Sequence, residues 1–131
     1  SAAVEYAVTT LKVAHIIVVG HSSCGGVKGC YQMCSGAAPE LEKSSSFVGR
    51  WMDILRPGYD RIKDMPAQDE QLTALEREAV VVSIENLMSF PFVSAAVAND
   101  TLSIHGLWTN IGDGALLQYD AETNKFDPIE S

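Results

Sequence analysis

Apolar positions change period several times along this chain, and each change marks a new element. Val4, Val8 and Leu11 recur at helical spacing, which predicts a helix over residues 2–13. His15 to Gly20 (HIIVVG) is short, β-branched and apolar on both faces, as a buried central strand of a parallel sheet should be. The segment HSSCGGVKGCYQMC then turns at Ser22-Ser23 and at Gly25-Gly26 and enters a helix running to about Cys34. Residues 35–45 read as a polar loop. Phe47, Trp51, Ile54 and Leu55 mark one face of a further helix, which Pro57-Gly58 should end.

Leu72, Leu75, Ala79 and Val82 form the stripe of a long helix that starts near Pro66 and stops before Pro91. Val80, Val81, Ile84 and Leu87 widen this stripe until little of the later half can face water, so an oligomer contact is expected beside the core contact. Phe92 to Ala98 predicts a short helix. Leu102 to Ile111 and Ala115 to Tyr119 predict two strands joined through Gly112-Asp113-Gly114, with a frayed tail from Glu122. Helix, strand, Gly-rich turn and helix in succession define an α/β fold. The expected architecture is one domain over residues 1–131, with a central, mostly parallel sheet flanked by helices and a C-terminal strand pair.

Composition narrows the function classes. With 47% apolar residues in 131, the chain supports a real core and does not resemble a disordered segment. No apolar run reaches the roughly 20 residues of a membrane span, and SAAVEYAV lacks the basic start and long apolar middle of a secretory signal. The formal net charge is −8 and the nine Lys and Arg residues are scattered, so nucleic acid and anionic membranes are poor partners. Three cysteines between residues 24 and 34 make no disulfide framework. Thiols free for metal or chemistry in a reducing, cytoplasmic setting are the expectation.

The chemistry concentrates in VVGHSSCGGVKG, residues 18–29. His21 leaves the carboxyl end of the predicted strand, where open α/β sheets place their ligand sites. Cys24 follows three residues later at the mouth of a helix, whose free N–H groups favour the thiolate that binds metal. An imidazole and a thiolate at this spacing can share one zinc ion, or Cys24 can act as a nucleophile with His21 as its base. Gly25 and Gly26 remove side chains beside the site and leave room for a small substrate. Cys30 cannot join Cys24 on one metal: six residues of helix separate them by a rise of roughly 9 Å and a turn of about 240°.

Three segments carry a resemblance. SAAVEYAV leading into VAHIIVVGHSSCGGVKG is similar to the β-carbonic anhydrase signature of an E-Y-A-V helix, a strand and H-x-x-C-G-G. SIENLMSFPFV resembles that family's N-L-x-x-[FY]-P helix end, and LSIHGLWTNIGDGALLQYD its H-G strand pair. The resemblance implies zinc as cofactor, His21 and Cys24 as its ligands, and Gly25, Gly26 and Val27 beside the substrate. It implies reversible hydration of carbon dioxide to bicarbonate by a homodimer or larger homo-oligomer. Relatives with the same ligands that hydrolyse carbon disulfide or carbonyl sulfide leave the substrate open. The family's first zinc ligand is the Cys of a C-x-D-x-R motif upstream of the E-Y-A-V helix, absent from these residues, so the domain is expected to be N-terminally incomplete. A metal-free, oligomerising domain is the non-enzymatic alternative. Some members bind a second bicarbonate through a Tyr where this chain has Thr109, so no such regulation is expected.

Other conspicuous residues have plainer roles. Cys30 and Cys34 should be ordinary buried thiols. His105 should be structural, its ring bonding to the nearby turn, and His15 a surface or packing residue. Tyr6 reads as core, with contact to the active-site region as the alternative. Trp51 and Trp108 should be packing or interface anchors, Lys28 a solvated side chain and Asp113 a turn residue.

Overall fold

Residues His15–His21 form strand β1 in the computed structural model, which describes residues 1–129. β1 pairs in parallel with β2 (Ser103–Thr109), from His15 opposite Ser103 to His21 opposite Thr109. β3 (Leu116–Asp120) runs antiparallel to β2, and β4 (Lys125–Pro128) antiparallel to β3. The order is β1-β2-β3-β4. The α/β class is as expected, but the sheet is mixed rather than mostly parallel. Only the β1–β2 connection is long enough for a helical crossover; the short turns that follow permit antiparallel pairing alone.

The C-terminal strand pair is present, and the tail expected to fray from Glu122 forms β4 over Lys125–Pro128, with residues 130 and 131 outside the described residues. Asn124, with φ of 57°, makes the turn into β4, and its side-chain oxygen accepts from the Tyr119 hydroxyl at 2.8 Å. The rings of Tyr119 and Phe126 stand 5.2 Å apart across the two strands. That pair is the cross-strand contact that holds a terminal strand in place.

The first helix is shorter than expected. α1 spans Ala2–Glu5 and widens into a π-type turn over Tyr6–Thr10, where Leu11 N–H donates to the Tyr6 carbonyl at 3.0 Å. Lys12, at φ of 53°, stops it. α2 is Gly25–Cys34 and α3 is Phe47–Asp53. A short 3-10 turn (Pro39–Glu42) interrupts the polar loop between them. Pro57-Gly58 does not terminate a helix but opens α4 (Arg56–Ile62), because proline in a first turn removes no needed N–H. α5 is the long helix, Gln68–Met88, and α6 is Pro91–Ala98.

α5 packs on β1 and β2 and also on α2, α4 and α6. Part of its wide apolar stripe is taken up inside the chain: Leu75, Val80 and Val82 are buried, whereas Leu72, Ala79, Val81, Ile84 and Leu87 are only partly so. A side chain at Gly20 would place its Cβ 2.6 Å from Val80 Cγ2, and one at Gly106 would come within 2.9 Å of Val80 Cγ1. Those two glycines let α5 lie directly on the strands. Two buried clusters result, one of Val27, Cys30, Ile62 and Leu75, the other of Val8, Val93 and Leu102.

Among the described residues, β1 pairs with β2 alone, and its inward face is covered by α5. Ile17 and Val19 remain 58% and 56% exposed on its outward face. Trp108 is core as expected, whereas Trp51 on α3 is 65% exposed.

Candidate metal site

The turn after β1 is tied to the β2–β3 connection. Ser22 N–H donates to the Thr109 carbonyl at 2.9 Å, and Ser22 Oγ accepts from Ile111 N–H at 2.9 Å. Ser23 takes the left-handed conformation, φ of 55°. The chain then reverses, and Cys24 becomes the residue that opens the ten-residue helix α2, its carbonyl accepting from Lys28 N–H at 3.0 Å. The expected thiol at a helix N-terminus is realised.

His21 is exposed at the end of β1, and its Nδ1 lies 2.8 Å from the Ser22 carbonyl oxygen. A carbonyl only accepts, so Nδ1 carries the proton and Nε2 keeps its lone pair. A histidine prepared to bind metal is oriented in this way, its second nitrogen held by a backbone acceptor.

His21 and Cys24 line one cavity of about 340 Å³ together with Gly26, Val27, Trp51 and Glu76. Trp51 stands over Gly26, where a Cβ would lie 3.4 Å from the indole and 3.9 Å from Cys24 Sγ. Of the three residues expected beside the substrate, Gly26 and Val27 line this cavity. Gly25 faces an adjoining cavity of about 450 Å³, and a Cβ there would meet nothing within 4 Å.

The donor set suits zinc in kind: an imidazole with a free Nε2 and a thiol at a helix start. It supplies two of the four positions of a zinc site. Among the described residues, no group of three or more His, Cys, Asp or Glu side chains could hold a metal ion. Cys30 and Cys34 do not fill the gap. Cys30 is fully buried with its Sγ 3.9 Å from that of Cys34; burial first, and Cys34 second, push its thiol from 9.0 up to about 12. Burial raises the Cys34 thiol as well. Both stay protonated at neutral pH, as ordinary thiols do.

The remaining expectations divide. Among the described residues, no hydrogen bond joins His21 to Cys24, so the base–nucleophile pair of a thiol hydrolase is not assembled. His105 bonds not to a turn but to His15, Nε2 to Nδ1 at 3.0 Å: His15 stands opposite Ser103, two residues before His105 on the same face of β2, and the rings meet on the diagonal. Tyr6 is 56% exposed rather than core, since the widened turn carries it outward. Asp113 caps its own turn, accepting from Ala115 N–H at 2.8 Å. Sequence reasoning missed Ser22, Trp51 and Glu76 as parts of the site. For Glu76 a signal existed: it stands four residues from both Leu72 and Val80, a charge in the middle of an apolar stripe.

A profile of the family described as "Carbonic anhydrase" matches residues 1–116. The chain belongs to the β-carbonic anhydrase family. It is 42% identical over 109 residues to β carbonic anhydrase 3 of Arabidopsis thaliana, an alignment covering 80% of this chain and 41% of that protein. Its fold superimposes on the β-carbonic anhydrase CcaA with a TM-score of 0.83 at 27% identity, covering 99% of this chain and 57% of the other. Tetrameric β-carbonic anhydrases of Sordaria macrospora give a TM-score of 0.71 at 27% identity, covering 89% of this chain and 57% of theirs. The chain thus spans about half the length of these relatives. Within the family, the strand, turn and helix that carry His21, Cys24, Gly26 and Val27 fall inside the matched region.

Proposed function

We propose that this chain supplies the histidine and one thiolate of a zinc site that hydrates carbon dioxide reversibly to bicarbonate. The observation that carries the proposal is the joint geometry of His21 and Cys24. One ring nitrogen is pinned by the Ser22 carbonyl, the thiol opens α2, and both line a single small cavity. His21 and Cys24 would be two of the residues that hold zinc, which when bound would make hydroxide available at neutral pH as the nucleophile for carbon dioxide. His21 and Cys24 hold the metal and move no proton themselves. Gly26 and Val27, with the indole of Trp51, form apolar walls suited to a small uncharged substrate.

A homo-oligomer in the cytoplasm completes the proposal. The Sordaria macrospora relatives are described as tetrameric. The exposed Ile17, Val19, Trp51 and Ile54 give a second copy apolar surface to cover. The three cysteines are free, in keeping with a reducing compartment.

Zinc content and stopped-flow carbon dioxide hydration, measured on the full-length protein that carries this chain and on its His21→Ala and Cys24→Ser variants, test the assignment. Both substitutions should abolish stoichiometric zinc. Zinc retained at one equivalent by His21→Ala would overturn it. Zinc bound by that protein without hydration activity would separate metal binding from catalysis and favour a non-catalytic oligomerising domain.

A further inference from the structure

His15 and His105 stand together at the end of the β1–β2 pair that lies away from His21. The parallel register sets His15 opposite Ser103 and Ile17 opposite His105. Both histidines therefore lie on one face of the sheet, as alternate residues of neighbouring strands do. His15 Nδ1 is 3.0 Å from His105 Nε2, with the ring centroids 5.1 Å apart and the planes tilted by 43°. His15 is exposed and His105 half-buried, so solvent reaches the pair. None of the ion pairs among the described residues involves either ring. His21 closes the same strand that His15 opens, roughly 20 Å of strand away, and cannot share an ion with the pair.

Two neutral imidazoles so placed have two uses. With one proton between them, one nitrogen donates and the other accepts. If the donor ring instead carries its proton on its remote nitrogen, two lone pairs stand side by side, and each is a metal ligand. The separation then decides the fit. Nitrogens about 2.1 Å from one ion and at right angles to each other are about 3.0 Å apart, whereas at the tetrahedral angle they are about 3.4 Å apart. The observed 3.0 Å matches neighbouring positions of a square-planar or tetragonal ion. That is the geometry of nickel(II) and copper(II) with nitrogen ligands. Backbone pairing of β1 with β2 fixes both ligands beforehand, so little further ordering is needed on binding.

We propose that His15 and His105 are a two-histidine chelate for a divalent ion of the nickel(II) or copper(II) class, with solvent completing its coordination. The chelate uses neither His21 nor Cys24, and its test is independent of the zinc assignment.

Isothermal titration of Ni2+ into the full-length protein that carries this chain, and into its His15→Gln, His105→Gln and His21→Ala variants, tests the pair. Each glutamine variant should lose one equivalent of Ni2+ that wild type and His21→Ala both bind. In proton NMR of the wild type, the same addition should shift or broaden the ring signals of His15 and His105. Wild-type stoichiometry in either glutamine variant overturns the proposal, as does a wild type whose two ring signals stay unmoved. Loss of the equivalent with unmoved ring signals and a lowered metal-free thermal midpoint would make the pair a structural hydrogen bond only. An equivalent lost in His21→Ala and kept in both glutamine variants would put the ion at the other end of β1 and overturn the chelate.

Discussion

The two flanks of β1 have nearly the same chemistry and opposite surroundings. Ile16, Val18 and Gly20 face inward, where α5 closes over them so tightly that Gly20 has no room for a methyl group. Ile17 and Val19 face outward and are more than half exposed. The residue types do not distinguish the flanks; what lies against them does. Apolar character on both faces of a strand therefore states that both must be covered, and by itself says nothing of which element covers each. The candidate ligand His21 belongs to the outward series, and this is how a buried framework delivers an accessible imidazole.

The inward side should dominate stability. Leu75, fully buried where α5 meets α2 and α4, should lose about 2–5 kcal/mol on substitution by alanine, measured by urea unfolding. Gly20→Ala forces a Cβ to within 2.6 Å of Val80 and should cost about 1–3 kcal/mol through overpacking. If Gly20→Ala proved neutral, α5 would not lie as close to β1 as described.

The same core should show a pH signature. The Cys30 thiol is raised from 9.0 to about 12 by burial and by Cys34. Between those values the unfolded chain has lost the proton and the folded chain keeps it. Stability is therefore fully present below pH 9 and falls as pH rises through this window. Cys30→Ala should flatten that part of the curve, followed as the urea midpoint against pH.

The smallest effect belongs to the outward flank. Ile17→Thr should change the stability of the monomer by no more than about 0.5 kcal/mol, as for an exposed site. Sedimentation at rising concentration sharpens the comparison: a self-associating wild type that Ile17→Thr renders monomeric would show that the outward face is covered by a second copy. A large loss of stability at low concentration would show that this flank is already covered within the monomer.

Several parts of the molecule were legible in advance. The H-x-x-C spacing after a β-branched run placed His21 at a strand end and Cys24 at a helix start, because strand and helix periods are local and glycine pairs punctuate them. Cys30 was recognisably unable to share a metal with Cys24 for an equally local reason, the rigid rise of a helix. Other features were not legible. Pro57-Gly58 resembles a stop signal, yet Gly58 is small because α5 crosses there: a Cβ would sit 3.2 Å from Glu78 Cβ and 3.3 Å from Leu75 Cδ1. The tail after Glu122 is polar and reads as frayed until its edge pairs with β3.

The amino-acid sequence alone determined the family, the α/β class and the two candidate ligands, since these rest on residue types at short, regular spacings. Only the tertiary structure decided the order of the four described strands, the burial of Glu76 and the cavity that it shares with His21 and Cys24. These depend on contacts between residues 56 to 60 positions apart, such as Gly20 with Glu76 and Val80. No local period encodes such contacts; they arise when one long helix is laid across the strand that carries the site.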